Sequence, residues 1–388
     1  MQFRFDGAGY LEEGATHVYT LPITGGTPRQ ITKGDNDFGS PTWLGNDTLL
    51  VVGNDVEDAA LDPIESEIYT VSLSDLSRSA ITSRDGPDLN PVVSPDGSQI
   101  AYFGYDDLVK SYQQADLYVM NADGSDSVEL AADFDRSFSG LAWHPNGRSL
   151  IAQIENAGVI DLISVSMSGE IGTLVTNVGG TSIGRPYAGG SFSGSDTRRP
   201  VIAYTAGSPD RPAEIAVTGR NVNDRVLTDL NSDLLDHLDM ATIEEIQVPS
   251  SHDGLEIEAW IALPHGFEAD GSAPMIMEIH GGPFAMYGPY FASEIHRFAA
   301  EGYVTVYVNP RGSTGYGADF AMAIDKAYPG NDYDDLMSIV DALVERNYVS
   351  PDRLFVTGGS GGGLLTARIV GKTDRFAGAA TVKPVINW

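Results

Sequence analysis

One serine in this sequence stands where a hydrolase would present a nucleophile. Ser360 is the centre of residues 358–362, which read GGSGG and match the pattern G-x-S-x-G. In such a turn the serine has a strained backbone between a strand and a helix, and its neighbours must be small because the two elements nearly touch. The positive end of the following helix also favours a developing anion near the serine. The pattern therefore predicts acyl transfer through Ser360.

Three other uses of a glycine-rich turn fit the sequence less well. A phosphate-binding loop would read G-x-x-x-x-G-K-[ST], and the required lysine is missing. The dinucleotide pattern G-x-G-x-x-G fits in no register. A flexible linker would not lie between the strand-like LFVT and the amphipathic LLTARIV. The surroundings of Ser360 favour a nucleophile turn.

Acyl transfer also needs donors for the oxyanion, and a second glycine pair can supply one. The stretch HGGP at 280–283 follows an apolar, strand-like run. We expect the backbone N–H of Gly282 to be one donor and that of Gly361, the residue after the serine, to be the other. Each donor of this kind lowers the barrier by about 3–4 kcal/mol.

The general base is harder to find. His280 lies upstream of the serine, whereas the base of this fold follows it, so we interpret His280 as a residue that shapes its loop. The chain continues for 28 residues after Ser360, and none is a histidine. The other histidines have no partner motif and no metal-ligand spacing, and without cysteines there are no thiolate sites, so no metal or cofactor is expected.

The first 240 residues predict a repeated all-β structure. Similar stretches place Trp43, Val93 and Trp143 fifty residues apart, each followed by alternating strands and Gly- or Asp-containing turns. A period of this length with several strands per unit is typical of β-propeller blades, although a β-sandwich also has many short strands. We expect a partial propeller over residues 1–240, with about four visible blades.

The pattern changes near residue 245, where buried strands begin to alternate with helices. Such crossovers build a parallel α/β sheet. Residues 241–388 are therefore predicted to form an α/β-hydrolase domain, present as its N-terminal portion through the nucleophile turn and incomplete beyond it.

The charge is −31, from 23 basic and 54 acidic residues spread over both halves of the chain. This acidic surface predicts a halophilic source, because concentrated salt screens the self-repulsion; an ordinary acidic cytosolic protein is the alternative. Nucleic acid is excluded as a partner, since phosphates need a basic surface. No signal-peptide layout or long apolar run is present, so we expect a cytoplasmic protein with no membrane partner.

An ordered set of motifs resembles the prolyl oligopeptidase family of serine peptidases, in its acylaminoacyl-peptidase and dipeptidyl-peptidase-like branch. The motifs are SPDG and DLYVMNADGS, then HGGP, NPRGSTGYG, GGSGGG and GKTDRF…INW. The resemblance implies cleavage of short peptides, with a propeller that limits access. It also implies Ser360 as nucleophile, with Gly282 and Gly361 in the oxyanion hole. Arg311 would lie near the active-site face, with a structural ion pair as the alternative.

The chain departs from the family in two ways. Many members have tyrosine where this chain has Gly361, although the backbone donor survives. The family's catalytic Asp and His lie well beyond the serine, and Asp374 is too close to replace them. We therefore expect truncation at the C-terminus and also at the N-terminus, and an inactive chain, because serine without its base is a poor nucleophile. A serine esterase and a non-catalytic propeller–hydrolase protein remain alternatives, and oligomeric state stays open.

Overall fold

The computed structural model of the 388-residue chain describes residues 3–4, 9–10, 14–56, 59, 61–180, 182–197, 199–219 and 222–386. The last two residues of the INW stretch, Asn387 and Trp388, lie outside these residues, as do most residues before residue 14.

The first part of the chain consists of antiparallel strands. In chain order they are β1 (Phe3–Arg4), β2 (Gly9–Tyr10), β3 (Tyr19–Thr20), β4 (Arg29–Gln30), β5 (Phe38–Leu44), β6 (Thr48–Gly53), β7 (Glu67–Ser72), β8 (Arg78–Ala80), β9 (Asp88–Val93), β10 (Gln99–Gly104), β11 (Asp116–Asn121), β12 (Val128–Leu130), β13 (Phe138–Trp143), β14 (Ser149–Asn156), β15 (Val159–Ser166), β16 (Ile171–Val178), β17 (Phe192–Gly194), β18 (Val201–Ala206), β19 (Glu214–Gly219) and β20 (Val222–Val226). Strands β5–β8 and β9–β12 form four-stranded sheets, and β13–β20 share one eight-stranded sheet. The two four-stranded sheets connect sequential neighbours, as propeller blades do, and the eight-stranded sheet does so except where β16 pairs with β18.

The fifty-residue repeat corresponds to the first strands of successive sheets. Strands β5, β9 and β13 lie side by side. Thr42 Oγ1 donates to the Pro91 carbonyl at 3.1 Å, and Trp143 Nε1 donates to the Val92 carbonyl at 3.0 Å. The side chain of Trp143 thus links its sheet to the preceding one, whereas Thr42, next to the exposed Trp43, links its sheet to the following one.

Apolar faces between the sheets form the core of this part. Leu50 and Ile68 of one sheet pack against Ile100, Tyr102 and Met120 of the next. The far face of that second sheet packs in turn against β14 and β15. Complete burial of an aliphatic side chain stabilises a fold by about 1.5–3 kcal/mol, so face-to-face stacking holds the successive sheets together.

The second part is a mixed sheet covered by helices. Its strands are β21 (Thr242–Pro249), β22 (Glu256–Leu263), β23 (Met275–Ile279), β24 (Val304–Asn309), β25 (Leu354–Gly359) and β26 (Gly378–Val382), in the order β21-β22-β24-β23-β25-β26. The last four strands of that order are mutually parallel, as predicted. The helices of the described residues are α1 (Ser232–Leu235), α2 (Ser293–Ala300), α3 (Ala318–Met322), α4 (Asp332–Glu345) and α5 (Gly361–Lys372).

The sheet brings the two glycine-rich loops together. Strands β23 and β25 are parallel neighbours, and Ile279 pairs with Gly358 at their carboxyl ends. The loop that begins at His280 and the turn at Ser360 therefore leave the sheet from the same edge. In open α/β sheets, this edge is where ligands bind.

Hydrogen bonds join the two parts of the chain. The hydroxyl of Tyr290 accepts from Ile160 N at 2.9 Å and donates to the Val178 carbonyl at 3.0 Å. Ala157 N also donates to the Gly315 carbonyl at 2.9 Å. The division between residues 240 and 241 stays a prediction. Among the described residues, no helix is long and apolar enough to cross a membrane.

Candidate active site

Ser360 occupies a strained turn between β25 and α5. Its φ is 55° and its ψ is −115°, a combination that few L-residues adopt. Its backbone N–H donates to the Val382 carbonyl at 2.9 Å, which ties the turn to the neighbouring strand. The side chain is exposed at the sheet edge. Strain of this kind costs about 1–3 kcal/mol and is typical of functional sites.

The glycines on either side of Ser360 permit this turn. A Cβ placed on Gly358 would lie 2.6 Å from the Gly362 carbonyl carbon, and one on Gly362 would lie 2.1 Å from the Ile279 carbonyl oxygen. Real Cβ atoms do not approach other atoms so closely. Strand β23, strand β25 and helix α5 thus meet at a spacing that admits only hydrogen at these two positions.

The HGGP loop lies directly against the serine turn. A Cβ placed on Gly281 would lie 3.4 Å from the Ser360 Cβ and 3.1 Å from the Gly359 carbonyl oxygen. One on Gly361 would lie 2.9 Å from the Gly282 carbonyl oxygen. Gly282 is exposed and has a φ of 122°, a value that favours glycine. The structure thus brings Ser360, Gly282 and Gly361 together.

His280 is buried beneath this loop. Its Nδ1 lies 2.7 Å from the Gly281 carbonyl oxygen and its Nε2 lies 2.9 Å from Ser313 Oγ, which is also 2.6 Å from the Pro310 carbonyl oxygen. Burial lowers the pKa of His280 to about 4, so its ring is neutral near pH 7. A neutral ring that donates from Nδ1 to Gly281 has Nε2 free to accept, and the single Ser313 hydroxyl proton is shared between Nε2 and the closer Pro310 carbonyl. These contacts fit the predicted role in shaping the loop.

No described histidine forms a hydrogen bond with the Ser360 hydroxyl. His296 Nε2 lies 2.8 Å from the Pro209 carbonyl oxygen, and His252 Nε2 lies 2.8 Å from Asn331 Nδ2. Asp374 is exposed after helix α5. The described residues therefore contain a candidate nucleophile and candidate oxyanion donors, without a base in contact with the serine.

Arg311 lies in a buried ion-pair network. Its Nε and Nη2 donate to the two carboxylate oxygens of Asp335, each at 2.9 Å. Its Nη1 and Nη2 donate to Asp253 at 3.0 and 2.9 Å. Arg311 is 4% exposed and Asp335 is fully buried. These contacts match the structural ion pair that was the alternative reading of Arg311.

Three residues that the sequence did not single out lie at or beside the HGGP segment: Tyr187 contacts it directly, and Arg185 pairs with Glu278 in the strand that leads into it. The hydroxyl of Tyr187 accepts the Gly281 N–H at 2.8 Å. Arg185 Nε lies 3.1 Å from Glu278 Oε1 and 3.1 Å from Glu294 Oε2. Glu278 is fully buried in β23, and burial raises its pKa to about 7. An acid within the apolar run MIMEI was a signal for a buried partner, but nothing pointed to Arg185 or Tyr187.

The fold defines a class: an α/β-hydrolase domain, here with a strained serine turn, joined to propeller-like sheets. Residues 289–388 match the prolyl oligopeptidase family, and the resemblance predicted from the motifs is confirmed.

Two curated relatives and one solved structure illustrate the relationship. The chain is 41% identical over 199 residues to the uncharacterized peptidase YuxL of Bacillus subtilis, covering 51% of this chain and 30% of that protein. It is 28% identical over 295 residues to dipeptidyl-peptidase 5 of Aspergillus fumigatus, covering 74% of this chain and 39% of that protein. The chain thus spans roughly a third of their length.

The solved structure is the acylaminoacyl peptidase of Pyrococcus horikoshii. It aligns with a TM-score of 0.70 and 24% sequence identity, over 88% of this chain and 51% of that one. At this identity the likeness shows the fold. It is a propeller followed by an α/β-hydrolase domain, which agrees with the order of the two sheet systems here.

Proposed function

We propose that this protein is a serine-type peptidase that hydrolyses short peptides through an acyl-enzyme on Ser360. The observation that carries the proposal is the strained, exposed Ser360 turn packed against the Gly281–Gly282 backbone. A positive φ alone is not specific, because Ser40 in strand β5 has a φ of 49°. Ser360 combines it with a position between a strand and a helix and with glycines on both sides, which is the arrangement that a nucleophile turn requires.

The proposed chemistry has two steps. Ser360 Oγ attacks the carbonyl carbon of the substrate as its proton passes to a base, and the backbone N–H groups of Gly282 and Gly361 hydrogen-bond to the oxyanion. The amine then leaves with that proton. Water attacks the acyl-enzyme, releases the acid and restores the serine. No metal or cofactor enters these steps.

The proposed substrates are acylated or unblocked short peptides. The names of the relatives point to this class, since one is a dipeptidyl-peptidase and one an acylaminoacyl peptidase. In this proposal residues 1–240 form the propeller that limits access, and residues 241–388 carry the reaction. The acidic surface argues against nucleic acid as a partner. Cytoplasmic location and a halophilic source remain predictions from composition.

A non-catalytic protein is the second candidate, and one observation favours it. No described histidine contacts the Ser360 hydroxyl, and loss of triad members removes most of the rate. We therefore expect residues 1–388 alone to react slowly with substrates. The protein should be tested as the complete gene encodes it.

Hydrolysis of acyl-peptide and dipeptidyl chromogenic substrates tests the proposal. The complete gene product should cleave them, and Ser360→Ala should remove at least 99% of the activity, since a triad serine contributes a factor of about 10⁶. The exposed Ser79→Ala is the matched control and should leave the rate unchanged. Cleavage of esters without peptides would make the protein an esterase. Activity that survives in Ser360→Ala would contradict the role of Ser360.

A further inference from the structure

The peptide group between His280 and Gly281, one peptide before the N–H of Gly282, is held by a side chain from the other part of the chain. Gly281 is buried against Ser360, and its N–H donates to the hydroxyl of Tyr187 at 2.8 Å, across 94 positions of sequence. Tyr187 lies between β16 and β17, among the propeller-like strands. Its hydroxyl would lie 3.2 Å from a Cβ on Gly281, on the side that also faces Ser360.

Tyr187 is itself fixed by the same loop. Its ring packs edge-on against Tyr287, with centroids 4.8 Å apart and planes at 63°. The backbones of Tyr187 and Tyr287 form an isolated antiparallel bridge. Tyr287, the far end of the HGGP loop, is fully buried, and its hydroxyl donates to Glu278 Oε1 at 3.3 Å.

The near end of the loop is held by Arg185, two residues before Tyr187. Arg185 Nε bridges Glu278 and Glu294 at 3.1 Å each. The segment 185–187 therefore makes contact at three points: Glu278 just before the loop, Gly281 within it and Tyr287 at its end. Three such points restrict the loop far more than one hydrogen bond, because each removes a separate motion.

We propose that Tyr187 is a positioning residue for the reaction at Ser360. Its hydroxyl fixes the peptide between His280 and Gly281, while His280 Nδ1 contacts the Gly281 carbonyl oxygen at 2.7 Å. The carbonyl of Gly281 and the N–H of Gly282 belong to one peptide group, so the two contacts together set the direction of the Gly282 N–H. This inference rests on the proposed function, in which Gly282 is an oxyanion donor. Tyr187 touches no reacting atom; it acts through the loop, and it makes the alignment of that donor depend on the propeller part of the chain.

Tyr187→Phe is the sharpest variant, because it removes the acceptor for Gly281 N–H and keeps the ring against Tyr287. Tyr348→Phe is the matched control, since the Tyr348 hydroxyl donates to Glu244 Oε2 at 3.1 Å in a different part of the sheet. Arg185→Lys is a second variant with the same expected direction, because lysine cannot bridge Glu278 and Glu294 with guanidinium geometry.

The test measures amide hydrogen exchange at Gly281 together with kcat and KM, in the complete gene product. In Tyr187→Phe we expect exchange at Gly281 to rise about tenfold as local opening becomes easier. We expect kcat to fall about tenfold with KM changed less than twofold, because loss of an oxyanion donor itself costs a factor of about 10²–10³. Tyr348→Phe should change neither. A role in folding alone would lower the thermal midpoint without this split between kcat and KM.

Any other result would contradict the positioning role of Tyr187. Unchanged exchange at Gly281 would show that Tyr187 does not hold the loop. Faster exchange with unchanged kcat would show that it holds the loop without positioning a donor, which also overturns the proposal. If the wild-type gene product has no hydrolase activity, the proposed function fails and the positioning role fails with it, whereas an active wild type with unaffected Tyr187→Phe contradicts only this inference.

Discussion

A methyl group on Gly362 would lie 2.1 Å from the carbonyl oxygen of Ile279. The first turn of helix α5 and the end of strand β23 are thus in direct backbone contact. This contact places the serine turn against the HGGP loop, so a change at Gly362 should move both.

Gly362→Ala should therefore lower the free energy of unfolding by about 1–3 kcal/mol, as overpacking of a core does. Gly371→Ala, in the last turn of the same helix, has nothing within 4 Å of the new Cβ. It should be neutral or stabilising by up to about 1 kcal/mol. Urea denaturation of both variants measures the difference. Equal effects would mean that α5 and β23 do not meet as described.

Arg311→Met should be strongly destabilising, because it leaves the buried Asp335 carboxylate without its partner. Loss of one member of a buried pair costs about 3–5 kcal/mol. Arg297→Met is the control, since Arg297 pairs with Glu301 on the surface. Exposed pairs contribute about 0–1 kcal/mol. The loss of free energy of unfolding, measured by urea denaturation, should be several-fold larger for Arg311→Met than for Arg297→Met. Similar losses would contradict a structural role for Arg311.

His280 should make the protein acid-sensitive. Its folded pKa of about 4 lies below its ordinary value of 6.5, so the unfolded chain binds a proton more readily. The stability due to neutral His280 is complete above pH 6.5 and is lost as pH falls toward 4, by about 3 kcal/mol in all.

Unfolding measured from pH 7 to pH 4 checks this prediction. His280→Gln should have a shallower loss of stability over that range than the wild type. His265→Gln, which changes an exposed side chain, should follow the wild-type curve. If His280→Gln and wild type have parallel curves, His280 is not held neutral by burial.

Salt should stabilise the protein. With a net charge of −31, the folded state is destabilised by self-repulsion in dilute buffer. The screening length falls from about 10 Å at 0.1 M salt to about 3 Å at 1 M. The thermal midpoint should rise steadily from 0.1 M to 2 M KCl. A flat or falling midpoint would contradict the predicted halophilic source.

The sequence revealed the parts of the site that depend on local backbone geometry. A strained serine turn and a close-packed loop both require glycine at fixed positions. Gly282, Ser360 and Gly361 could therefore be predicted from the sequence pattern alone. The parallel order of β23 and β25, inferred from alternating strands and helices, brings these residues together. The fifty-residue repeat likewise corresponds to one strand in each successive sheet, namely β5, β9 and β13.

Contacts between distant segments were not visible. Tyr187 meets Gly281, and Arg185 meets Glu278, across more than 90 residues, and neither belongs to a motif. The apolar run MIMEI indicates that Glu278 is buried, but the identity of its partner, Arg185, depends on which segments surround β23. The sharing of one sheet by β13–β20 has the same origin, because it depends on how two runs of strands meet.

The central claim is that Ser360 is an activated nucleophile, and phosphonylation tests it most directly. The complete gene product should be treated with a fluorophosphonate probe and the modified residue mapped by mass spectrometry. The account predicts one adduct, on Ser360, that is absent from Ser360→Ala. An adduct on another residue, or none on the folded complete protein, would contradict it.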